Sequence, residues 1–126
     1  MPAYDDQNIF ARILRGEIPN DTVIETQHTL VFRDIRPQAP VHLLVIPKGA
    51  YVSFEDFAAN ASEVEIIDFM RTAAKVAEDQ GISIDSGNGF RAIANSGEDS
   101  HQEVPHFHLH LLAGRPLGPM LVQPKA

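Results

Sequence analysis

The segment His106-Phe107-His108-Leu109-His110-Leu111 alternates imidazole and apolar side chains without a break. Successive side chains of a strand point to opposite faces, so the pattern puts His106, His108 and His110 on one face and Phe107, Leu109 and Leu111 on the other. It predicts a strand over His106 to Leu112 with one face given to core and one to chemistry. With six His in 126 residues, three at this spacing arise by chance in about one chain in a hundred.

The rest of the chain supplies elements for that strand to join. Asn8 is a candidate N-cap for a short helix carrying Ile9, Phe10, Ile13 and Leu14, which Gly16 ends. Thr22 to Thr26 and Thr29 to Arg33 have hairpin spacing, and Val41 to Ile46, apolar on both faces, reads as a central strand. Residues 62 to 80 form the clearest helix, with a Ser62/Glu65 capping box and Gly81 past its end. Its apolar side carries Ile66, Ile67, Phe69, Met70, Ala73, Ala74, Val76 and Ala77. A further strand is expected over Phe90 to Asn95. The order of helix, three strands, helix and two strands predicts an α+β domain over residues 1–126, with a five-stranded, mostly antiparallel sheet and two helices.

Composition removes several function classes. The chain has no Cys, so disulfides, thiolate metal sites and Cys nucleophiles are excluded. A net charge of −7 argues against a polymeric nucleic acid partner, whose binding rests on neutralising phosphates, though not against a small phosphorylated ligand. No apolar stretch approaches the roughly 20 residues of a membrane span, and the opening MPAYDDQNIF lacks a basic and then apolar leader. A cytoplasmic protein is expected.

Three readings of the histidine row compete. It could be a solvated sheet face. It could hold a metal, two neighbouring His combining with His42 or an acid, although His106 and His110 in an extended strand lie about 13 Å apart, too far to close on one ion. Or it could act on a phosphate: an imidazole with an ordinary pKa of about 6.5 is largely neutral at pH 7 and can attack phosphorus, while a neighbour carries a proton or donates to a phosphate oxygen. The loop from Asn95 to Val104 enters the strand directly and offers further donors.

The heptad His106-Phe107-His108-Leu109-His110-Leu111-Leu112 resembles the signature of the histidine triad (HIT) superfamily. The resemblance extends to Asn8-Ile9-Phe10, Arg15 to Pro19, Asp34-Ile35, Pro37 to Pro40, His42, Leu44 to Lys48, Asn95-x-Gly97 and Gln102 to His110. Over roughly residues 8 to 115 it points to the Hint branch, the purine nucleoside phosphoramidases. That resemblance implies a homodimer whose sheets join into one of ten strands, and hydrolysis of nucleoside 5′-phosphoramidates or related adenylates through a nucleotidylated histidine, with no required cofactor. Dinucleoside polyphosphate hydrolysis and nucleotide binding with little turnover are the alternatives. By the resemblance His108 is the nucleophile, His110 bonds a phosphate oxygen, and His106 and His42 hold the row in register. Asn95 and the Val104 amide contact phosphate, Asp34 takes the ribose hydroxyls, and Ile9, Phe10, Ile13, Phe32 and Ile35 form an apolar slot for the purine.

The chain departs from the pattern at three places. Glu103 stands where a Ser donates its hydroxyl, and an ionised carboxylate there would oppose a phosphate. His101 stands in the place of a Gly where the backbone nears the ligand, adding a donor or lying on the surface. The tail 116–126 lacks a Trp-containing ending.

Overall fold

A computed structural model describes residues 1–122, so the last four residues of the tail expected at 116–126 lie outside the described part. Among the described residues the chain forms α1 (Ile9–Leu14), β1 (Thr22–Glu25), β2 (Thr29–Arg33), β3 (Val41–Pro47), α2 (Phe54–Asn60), α3 (Glu63–Asp79), β4 (Arg91–Ala94) and β5 (Leu109–Ala113). The strands make one antiparallel sheet in the order β1-β2-β3-β5-β4, with β3 central as its unbroken apolar run requires.

Alternation along the strands feeds two cores. Val31, Leu43, Val45 and Leu111 point to one face, where they meet Phe57 of α2 and Phe69, Val76 and Ala77 of α3. Phe57, Phe69 and Phe107 meet there at centroid distances of 5.0 to 5.2 Å; burying each such ring contributes roughly 1.5–3 kcal/mol. Leu30, Phe32, Leu44 and Ile46 point to the other face and pack on Phe10 and Ile13 of α1. His110 pairs in register with Leu44 and therefore lies on the α1 face, as does His42, two residues from Leu44 on the same strand.

Three expectations are corrected. The domain has a third helix, α2: Ser53 caps it by accepting from the Asp56 N–H, and Phe57 is its buried anchor. The last strand starts at Leu109 rather than His106, because Pro105 precedes the segment and the Phe107 N–H donates to the Tyr51 carbonyl at 2.8 Å instead of joining the ladder. The inward and outward alternation survives this shift, with Phe107 and Leu111 in the α3-side core. The capping box of α3 forms as expected, but only part of its apolar side is covered. Phe69, Thr72, Ala73, Val76 and Ala77 face the sheet, whereas Ile67, Met70 and Ala74 lie with Val64 on an adjoining arc open to solvent.

Candidate active site

The four histidines of the α1 face are held by a chain of hydrogen bonds whose partners fix each ring's tautomer. Carbonyl oxygens only accept, so His106 Nε2 donates to the Pro47 carbonyl at 2.8 Å, which leaves its Nδ1 to accept from the Tyr4 hydroxyl at 2.6 Å. His108 Nδ1 donates to the His106 carbonyl at 2.7 Å, so the lone pair of His108 sits on Nε2. The Gln38 N–H donates to His42 Nδ1 at 3.1 Å, placing the His42 proton on Nε2, from which it reaches His110 Nδ1 at 2.9 Å. His110 in turn carries its proton on Nε2. The site therefore presents one bare imidazole nitrogen, on His108, beside one imidazole N–H, on His110, with ring centroids 5.0 Å apart.

Burial sets the charge of the group. His106, His42 and His108 are buried, and loss of hydration pushes His106 down to about 4 and holds His42 and His108 below their ordinary value. His110 is pushed down to about 4 by burial and then by the neighbouring His108 and His42. In all four rings burial favours the neutral form at pH 7. Of the two expected roles for a neighbouring imidazole, carrying a proton or donating to a phosphate oxygen, the tautomers favour the donor.

A cavity of about 330 Å³ opens over these rings, with His108 and His110 in its wall. Phe10, Ile13 and Phe32 form its buried apolar side, and Ile9 and Ile35 stand at its exposed lip. Asp34 lies just past β2, its Oδ1 accepting from the Arg36 N–H at 2.8 Å and its Oδ2 3.4 Å from His42 Nε2. Asn95 and Val104 reach the cavity from the opposite loop, where Gln102 ties the backbone by donating to the carbonyls of Val52 and Val104 and accepting from the Gly97 N–H. His106 and His42 lie behind the wall, as supports for the rings that line it.

Two of the three departures from the family pattern, His101 and Glu103, meet each other. His101 takes φ 60°, the left-handed conformation that a Gly adopts without strain, and its Nε2 lies 2.9 Å from Glu103 Oε1. Both side chains are exposed and line the cavity at its rim, where the Glu103 carboxylate is partnered by imidazole.

Asp34, His42 and His110 bring one ligand atom each to within 4.8 Å of one another, the composition of a metal site. The tautomer network opposes that use. Offering His42 Nε2 to a metal would move its proton to Nδ1, against the Gln38 N–H that already points there.

Sequence reasoning misses Tyr4, Gln38 and Ser100. Ser100 also lines the cavity, and Gln38 combines a place in its wall with control of His42. Tyr4 contacts a residue 102 positions away and belongs to no periodic segment, so no local signal marks it. Gln38 acts through its backbone, which residue type does not report.

Comparison with known proteins gives the family. Residues 15–117 match the family described as HIT domain. A 13.2 kDa HIT-like protein of Azospirillum brasilense is 55% identical over 120 residues, covering 95% of this chain and 96% of the relative. A purine nucleoside phosphoramidase of Escherichia coli is 45% identical over 116 residues, covering 92% and 94%. The solved structure of a histidine triad protein from Clostridium difficile superposes with a TM-score of 0.79 at 38% identity, covering 93% of this chain and 98% of that one. On its fold, its histidine row and these matches, the chain belongs to the HIT family.

Proposed function

We propose that the protein hydrolyses purine nucleoside 5′-phosphoramidates, or related adenylates, through a nucleotide covalently held on His108. The observation that carries this reading is the His108 ring: its Nδ1 proton is given to the His106 carbonyl, and its lone pair is left on Nε2 at the cavity wall. The 45% identity to a purine nucleoside phosphoramidase supports the substrate class.

In the proposed reaction His108 Nε2 attacks the α-phosphorus, the phosphorus–nitrogen bond to the leaving amine breaks, and the amine departs as it takes up a proton from solvent water. The nucleotidyl-imidazole carries a positive charge, and the His106 carbonyl on its Nδ1–H stabilises that charge. His110 Nε2–H donates to a non-bridging phosphate oxygen as negative charge builds there, with Asn95 and the Val104 amide adding donors. Water then attacks the phosphorus, the bond to His108 breaks, and the nucleoside 5′-monophosphate leaves. Asp34 accepts from the ribose hydroxyls, and the slot of Ile9, Phe10, Ile13, Phe32 and Ile35 takes the purine. The step needs no metal, in keeping with the Gln38 N–H that keeps His42 protonated at Nε2.

The reading extends to a homodimer and to small nucleotides in place of nucleic acid polymers. Among the described residues β4 is an edge strand paired only with β5, and Val64, Ile67 and Met70 form an exposed apolar stripe on α3. Both features suit a second copy of the chain. Among the described residues no helix is long and apolar enough to cross a membrane. The test is kinetic: kcat/KM for adenosine 5′-phosphoramidate should exceed that for diadenosine polyphosphates, and the reverse ranking would move the assignment to dinucleoside polyphosphate hydrolysis.

A further inference from the structure

Tyr4 precedes α1 in a segment with no regular structure, yet its hydroxyl reaches His106 Nδ1 at 2.6 Å. The ring of His106 has no exposed surface, so its Nδ1 has no water to turn to. An unpaired buried nitrogen is costly, and the Tyr4 hydroxyl is what pairs it. The two rings also pack edge to face at a centroid distance of 5.6 Å, and Phe10 meets His106 at 6.2 Å and His108 at 5.0 Å. His106 is thus clamped at both nitrogens, by Pro47 and by Tyr4, while its carbonyl holds the Nδ1 proton of His108.

We propose that Tyr4 is a positioning residue for phosphoryl transfer: by clamping the His106 ring it holds the His106 backbone so that its carbonyl keeps His108 Nε2 bare and aimed into the cavity. The inference rests on the function proposed above. It places the first link of the catalytic network in the segment before α1, 102 positions from His106 in the chain. Tyr4 touches no reacting atom, and its effect passes through the His106 ring and carbonyl to His108. The hydroxyl is the operative group, since the edge-to-face packing survives its removal.

The test compares the wild-type chain with Tyr4→Phe. Single-turnover consumption of adenosine 5′-phosphoramidate, with enzyme in excess, should slow about tenfold in the variant, while AMP affinity and KM stay within about twofold, because misplacement of a reacting group falls on the chemical step. A titration of active sites by trapped nucleotide should give the same amplitude for both proteins, which separates slower chemistry from a partly unfolded sample. ¹⁵N spectra of the histidine rings provide a readout that does not need turnover: His106 should show a protonated Nε2 and a hydrogen-bonded Nδ1 in wild type, and the Nδ1 signal should move in Tyr4→Phe. Equal single-turnover rates, or an unmoved Nδ1 signal, would overturn the role of Tyr4. A wild-type protein that consumes no phosphoramidate but shows the Nδ1 shift would instead overturn the proposed reaction and leave the clamp standing.

Discussion

His108 Nδ1 donates to the backbone oxygen of His106 at 2.7 Å, so the one ring nitrogen of His108 left without a proton is the one at the cavity wall. Burial holds this ring below the ordinary histidine value, against the opposing pull of that carbonyl and of the Asp34 and Glu103 charges. The neutral ring is the nucleophile, and burial favours it to lower pH than in an ordinary histidine. The rate of the first chemical step is therefore expected to decline in acid with a midpoint below pH 6.5. Rapid-quench measurements across pH 4 to 8 check this, and a midpoint above 6.5 would contradict it.

The pair His42 and His110 should behave as one unit. His42 Nε2–H reaches His110 Nδ1 at 2.9 Å and so leaves the His110 proton on Nε2. Replacing His110 with Ala removes the donor itself and is expected to lower kcat by about 10² to 10³. His42→Ala removes only the group that fixes its tautomer, with an expected loss of about tenfold. The double variant should be no slower than His110→Ala alone, because the effect of His42 passes through His110. Fully additive losses in steady-state kinetics would show two independent roles.

The same burial makes acid a destabilising agent. His106 and His110 titrate near 4 in the folded chain and near 6.5 when unfolded, so the unfolded state binds more protons between those values. Their contribution is fully present above pH 6.5 and is lost progressively as pH falls to about 4. Thermal unfolding should show Tm falling throughout this window, before most carboxylates titrate. His106→Asn should flatten the slope, and an unchanged slope would mean that His106 does not titrate there.

His101 sits at φ 60°, its backbone N–H donating to the Glu98 carbonyl and its exposed side chain meeting Glu103. A non-Gly residue in this region costs on the order of 1 kcal/mol, and an exposed ion pair returns less than that. His101→Gly should raise stability by about 0.5–1 kcal/mol in denaturant unfolding, and His101→Ala should not.

Much of this molecule can be read from its residues, for reasons that differ by element. β3 and α3 declare themselves because the first is apolar on both faces and the second carries its own capping box, both local signals. The histidine row reads correctly as a two-faced segment even though only its second half is strand, since alternation depends on extended backbone and not on ladder bonds. α2 escapes because a seven-residue helix is too short for its period to show; the spacing of Ser53 to Asp56 and of Phe54 to Phe57 is the only hint. The outward turn of Ile67 and Met70 escapes because an apolar side chain does not say whether it packs on its own sheet or on something else.

That exposed stripe makes a prediction of its own. If α3 meets a second copy, Ile67→Asp or Met70→Asp should shift the protein from dimer to monomer in sedimentation equilibrium, with the far-UV spectrum unchanged. A wild-type protein that is monomeric at tens of micromolar would remove the dimer from the proposal.

The most direct measurement is to mix the protein with adenosine 5′-phosphoramidate labelled at the phosphorus, quench within the first turnover, and map the label by mass spectrometry. An AMP adduct on His108 that forms and decays at rates consistent with kcat, and is absent from His108→Gly, is the expected result. Turnover with no adduct at any time, or an adduct on another residue, would contradict histidine 108 as the nucleophile.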